Sequence, residues 1–143
     1  DGPIRLTLRP STLHVGSPPS LRVTLRSAGA AQVVYPRDDL YSFHIRGPLG
    51  EVDCHQSRLP ITPIVDLYRR ISARRGVSAR IGTHACPEAF SVPGVYEVTP
   101  AVDLVYGGER YGLEALTGRF EGVPGLVRVV GHGYVAHPLD GTP

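Results

Sequence analysis

The sequence predicts an all-β protein, an antiparallel β-sandwich of seven to nine strands with at most one short helix. Three observations carry that reading. Short stretches alternate apolar and polar residues with the period of a half-buried strand, as in Ile4-Arg5-Leu6-Thr7-Leu8-Arg9 and Leu21-Arg22-Val23-Thr24-Leu25-Arg26. The 17 glycines and 14 prolines punctuate the chain too often for long helices and suit many strands joined by turns. At 143 residues, 41% hydrophobic and 20% charged, the chain is long and apolar enough for one domain with a single core.

Taken in order, residues 4–9 form a first strand that Pro10 ends, and residues 11–16 extend it toward a turn at Ser17-Pro18-Pro19-Ser20. Residues 21–26 form the next strand, so two early strands each send a row of arginines outward. Residues 32–35 make a third, cut by Pro36, and residues 40–46 a fourth with Tyr41, Phe43 and Ile45 on one face. Gly47-Pro48-Leu49-Gly50 is a strong turn signal, after which residues 51–55 resume as a strand. Pro60 and Pro63 exclude a helix interior from residues 56–63. Residues 64–71 are ambiguous: Ile64, Leu67, Tyr68 and Ile71 make a helical stripe, but a strand fits equally. Residues 77–81 alternate again, and residues 90–98 and 101–106 form a late pair. Gly107-Gly108 invites a hairpin pairing residues 102–106 with 109–113, and residues 125–130 close the sandwich. The domain therefore spans residues 1–130, and residues 131–143 read as a tail. The expected core contains Leu6, Leu8, Leu21, Val23, Leu25, Phe43, Ile45, Tyr96, Val98 and Val127.

The segments "IRLTLRPSTLHVG" and "LRVTLRSAG", the aromatic strand with its Gly-Pro-x-Gly turn, and "FSVPGVYEVTP" together resemble secreted bacterial immunoglobulin-like domains. That resemblance implies an immunoglobulin-like β-sandwich over residues 4–130, with Tyr96 near a corner where the chain changes sheets. The absence of tryptophan departs from antibody domains, whose bridge packs on one. A scaffold is implied, not a function.

Composition narrows the function. A net charge of +2 is too small to point to nucleic acid, and no apolar run approaches the length of a membrane helix. The two cysteines, Cys54 and Cys86, suit one disulfide in an oxidising compartment, worth about 3.7 kcal/mol through the unfolded chain. Two buried reduced thiols are the alternative. Asp1-Gly2-Pro3 has no basic start or apolar stretch, as a mature extracellular, periplasmic or cell-surface product would begin.

Several constellations carry possible chemistry. Cys54 with His55 and His84 with Cys86 supply the ligand types of a zinc site, although adjacent residues of a strand face opposite ways. His132 and His137 suit copper or zinc if His14 or His44 joins them. Arg69, Arg70, Arg74, Arg75 and Arg80 concentrate charge for an anionic surface, an acidic polysaccharide or a protein carboxylate, or else are solvated. Asp38 and Asp39 read as ordinary surface acids, and no local signature such as Gly-x-Ser-x-Gly signals a nucleophile. The expectation is a non-catalytic, cofactor-free binding or assembly module whose partner is another protein or further copies of itself. A metal-binding protein using the histidines is one alternative. A protease inhibitor projecting residues 59–63 is the other.

Overall fold

The computed structural model describes residues 2–131. Their strands are β1 (Ile4–Leu8), β2 (Ser11–His14), β3 (Ser20–Ser27), β4 (Gln32–Val34), β5 (Tyr41–Gly47) and β6 (Gly50–His55), followed by β7 (Arg69–Ile71), β8 (Val77–Gly82), β9 (Gly94–Leu104), β10 (Gly118–Glu121) and β11 (Gly125–Val130). They build an all-β sandwich. One sheet has the order β1-β3-β8, and the other β2-β11-β9-β5-β6 with β10 also paired to β9. β4 and β7 form a separate two-stranded ribbon. All these pairings are antiparallel except β2 with β11.

The ten expected core residues are all buried, and they belong to one cluster that both sheets line. Alternation explains why. In β1 and β3 every second residue faces the other sheet, so Leu6, Leu8, Leu21, Val23 and Leu25 go inward and the arginines outward.

Eleven strands occur among the described residues rather than seven to nine: β2 is separate from β1, and the short β7 and β10 pair with β4 and β9. Pro10 removes a backbone donor between β1 and β2, and the chain crosses there from one sheet to the other. Pro100 acts differently. It lies inside β9 yet falls between the ends of two partners, since β11 pairs up to Val98 and β10 begins at Ala101. No strand calls on the missing N–H at that point, and β9 continues unbroken. The carbonyl of Pro100 accepts from the Gly122 N–H at 2.8 Å. Gly122 itself lies so close to the Leu6 carbonyl that a Cβ has no room.

The expected hairpin of residues 102–106 with 109–113 does not form. Gly108 takes a positive φ of 80° but leads into a 3-10 turn, Glu109–Tyr111, and β9 pairs instead with β10. The ambiguous residues 64–71 divide between both readings: Val65–Leu67 is a 3-10 turn and Arg69–Ile71 is β7.

Cys54 of β6 is bonded to Cys86 in the loop after β8, with their Cα atoms 5.8 Å apart. Tyr96 anchors the turn into β9. Its hydroxyl donates to the Val92 carbonyl at 2.6 Å, its ring meets Phe90 edge-on at 5.1 Å, and its face covers Gly47, where no side chain fits.

Candidate functional site

Residues 59–67 form the most apolar exposed stretch of the described surface. Leu59 (52% exposed), Ile61 (52%), Ile64 (51%), Val65 (44%) and Leu67 (42%) all face solvent, although Pro60 and Pro63 keep the segment out of both sheets. The segment is held out by its own backbone contacts.

Arg37, just after β4, supplies two of them. Its Nη2 donates to the Leu59 carbonyl at 3.1 Å and its Nη1 to the Ile61 carbonyl at 3.4 Å. Asp39 Oδ2 accepts the Leu59 N–H at 2.7 Å. Farther along, the Ile64 N–H donates to the Tyr35 hydroxyl at 3.2 Å, and the Tyr111 hydroxyl donates to the Pro63 carbonyl at 2.6 Å.

Behind the loop stands a cluster of tyrosines whose rings meet tilted or edge-on. The Tyr35 ring lies 4.7 Å from Tyr68 and 5.2 Å from Tyr106, and Tyr68 lies 6.1 Å from Tyr111. Arg37 fits among these rings, its guanidinium 5.2 Å from the Tyr106 centroid and 5.9 Å from that of Tyr35. Contrary to the reading of Asp39 as a surface acid, its side chain is 8% exposed, and that of Arg37 only 10%. Burial works to raise the Asp39 carboxyl, but hydrogen bonds from Arg37 and the Leu59 N–H outweigh it and hold the group below the ordinary carboxylate range. The hydrogen bond to Asp39 likewise raises Arg37 above its usual value, against the opposing effect of burial. Both groups stay charged, so the pins persist at any ordinary pH.

The other candidate residues are dispersed. His55 ends β6, and His84 lies in the loop after β8. The disulfide occupies both sulfurs, and among the described residues no three of His, Cys, Asp and Glu gather as metal ligands. His132 and His137 lie outside the described residues. Arg69 and Arg70 sit on β7, Arg74 and Arg75 in the turn before β8, and Arg80 on β8, where it donates to Ser20 Oγ at 3.3 Å. On the outer face of the larger sheet, His44 stands between two acids, Nδ1 2.6 Å from Asp53 and Nε2 2.7 Å from Glu51. Sequence reading missed Arg37, Asp39 and the tyrosine cluster. The available signal was four tyrosines flanking the proline-rich segment at 35, 68, 106 and 111, whose meeting depends on the fold.

No protein-family model matches the chain. No curated protein matches it either. Among solved structures it is similar to a family 123 glycoside hydrolase from Clostridium perfringens, studied for glycolipid glycan hydrolysis, at 10% identity with a TM-score of 0.35. The similarity covers 87% of this chain and 23% of that one. Among the described residues no helix is long and apolar enough to cross a membrane.

Proposed function

We propose that this protein is a non-catalytic binding module that recognises another protein through the apolar loop of residues 59–67. The observation that carries the reading is the combination of five exposed apolar side chains with a backbone fixed from behind by Arg37, Asp39, Tyr35 and Tyr111. A flexible loop loses about 1–2 kcal/mol of backbone entropy per residue when a partner orders it. A pinned loop has met that cost during folding, so each apolar side chain it buries contributes up to about 1.5–3 kcal/mol to affinity. The disulfide supports export to an oxidising compartment. The sheet change at Pro10 and the tyrosine fastened at the start of β9 support an immunoglobulin-like reading of the scaffold.

A second reading, protease inhibition by the same loop, draws on its two prolines and its exposure. It has less support because the Leu59 and Ile61 carbonyls accept hydrogen bonds from Arg37, which turns them away from an oxyanion hole. Metal binding draws less again, with both sulfurs bonded to each other.

The test is affinity capture from the source's extracellular fraction with the full chain and with Ile61→Asp/Ile64→Asp. A protein retained by the first and lost by the second supports the proposal. Equal retention, or no retained protein, overturns it.

A further inference from the structure

The sequence shows that β1 and β3 send arginines outward, but only the strand register shows how those arginines meet. β1, β3 and β8 lie side by side, with Leu8 opposite Val23 and Arg22 opposite Arg80. The Arg9 N–H extends the β1 ladder by donating to the Arg22 carbonyl at 2.9 Å. Arg9, Arg22 and Arg80 therefore form one row straight across three strands. The next outward row is Thr7, Thr24 and Ser78, with the last two hydroxyl groups 2.9 Å apart. Beyond it, Arg5 stands opposite Arg26. The Arg26 side chain lies against Gly76, so the turn bearing Arg74 and Arg75 adjoins that end.

All these arginines are exposed, and β1, β3 and β8 contain no acidic residue. Every ion pair among the described residues lies elsewhere: Arg37 pairs with Asp39, His44 with Glu51 and Asp53, Arg46 with Glu51 and Glu97, and Arg58 and Arg119 with Asp103. Like charges directly opposite on neighbouring strands oppose folding. The sheet nevertheless stacks them in two rows, and no described acid lies within ion-pair distance of them.

We infer that this face is a docking surface for an acidic polysaccharide. Neighbouring strands lie about 4.8 Å apart, and residues four apart on a strand span about 13 Å. The face thus presents two cationic bands about 13 Å apart with a band of hydroxyl groups midway. A polymer carrying acid groups at intervals and hydroxyl groups between them matches both kinds of band. Guanidinium forks pair carboxylates with two parallel hydrogen bonds, which an ammonium cannot do. The face has no aromatic residue on which to stack bases and no apolar residue to enter a lipid surface. This surface is separate from the loop of residues 59–67, and the inference stands without it.

The experiment is calorimetric titration of the full chain with polygalacturonate, with dextran as the uncharged control. Binding is expected for polygalacturonate alone and weakens as salt rises, since counterions compete for the arginines. Arg22→Ser/Arg80→Ser should lower the affinity at least about tenfold, with thermal stability unchanged or raised because the arginine row is relieved. Arg46→Ser/Arg128→Ser makes the same change in net charge on the other sheet and should alter affinity less than about twofold. Equal losses in the two double variants would mean diffuse attraction and overturn the inference. So would a failure of polygalacturonate to bind, or preferential binding of anionic phospholipid vesicles or of oligothymidylate.

Discussion

Arg37 and Asp39 grip the same residue from both sides. They form a two-pronged pair with each other, Nε to Oδ1 at 2.6 Å and Nη2 to Oδ2 at 3.0 Å. Arg37 then takes the Leu59 carbonyl while Asp39 takes the Leu59 N–H. A pair two residues apart in sequence thereby fixes a backbone unit some twenty residues away, and the apolar loop begins from that fixed point.

Removing Arg37 should release the loop. Arg37→Ala leaves Asp39 charged and nearly buried without its partner, which costs about 3–5 kcal/mol. Chemical denaturation measures the loss, and amide hydrogen exchange should show Leu59 and Ile64 losing protection before the strands do. Arg37→Lys keeps the charge but not the fork, so it should recover part of the stability and little of the loop protection.

Tyr41 presents the opposite case. It is 1% exposed, and its hydroxyl has no hydrogen-bond partner among the described groups. Burial, and secondarily the Asp38 carboxylate, push the phenol well above its usual range, so it stays neutral. Tyr41→Phe deletes only the unsatisfied group and should raise the unfolding free energy by about 1 kcal/mol. A drop of similar size in urea denaturation would show that the hydroxyl has a stabilising role.

The His44 cluster gives a pH signature. Its hydrogen bonds to Asp53 and then Glu51 raise the imidazole, and the bond to His44 lowers the Asp53 carboxyl. A raised histidine stabilises fully below its unfolded value of about 6.5 and ceases to do so as pH rises through its folded value. The lowered aspartate contributes above its unfolded value of about 3.9 and stops as pH falls through its folded one. The cluster should therefore help most between about pH 4 and 6.5. The melting-temperature difference between the native protein and His44→Gln should peak in that window and shrink above it. All three groups are solvent-exposed, so the effect should also fade in high salt.

The disulfide joins residues 32 apart in sequence, and its reduction should cost about 2–5 kcal/mol. Alkylation without reductant should leave the intact mass unchanged. Gly122→Ala tests packing instead: the new methyl meets the Leu6 carbonyl, and an overpacked site of that kind loses about 1–3 kcal/mol. Thermal melts of both proteins check these outcomes.

What the chain reveals without a structure follows from the range of the interactions involved. Alternation is local, so Leu6 through Val127 could be assigned to the core by counting residues in twos. The reach of β9 through Pro100 was not legible, because it depends on where β10 and β11 stop. Nor was the role of Arg37, whose partners at Leu59, Ile61 and Tyr106 lie far along the chain. The basic residues show the same division. A search along the sequence groups Arg69, Arg70, Arg74, Arg75 and Arg80, whereas strand register aligns Arg80 with Arg22 and Arg9.

The two sheets also differ in how their outer charges are compensated. The larger sheet sets Arg46 against Glu51 and Glu97, and Arg119 against Asp103, whereas the smaller one leaves its arginines to the solvent. Among the described residues the unpaired positive charge thus lies mainly toward one side of the sandwich, which polarises that part of the molecule across its thickness. In the field of a distant polyanion such a body feels a torque as well as an attraction. Approach to the proposed polysaccharide would therefore turn the smaller sheet forward, selecting the orientation of first contact before any two atoms touch.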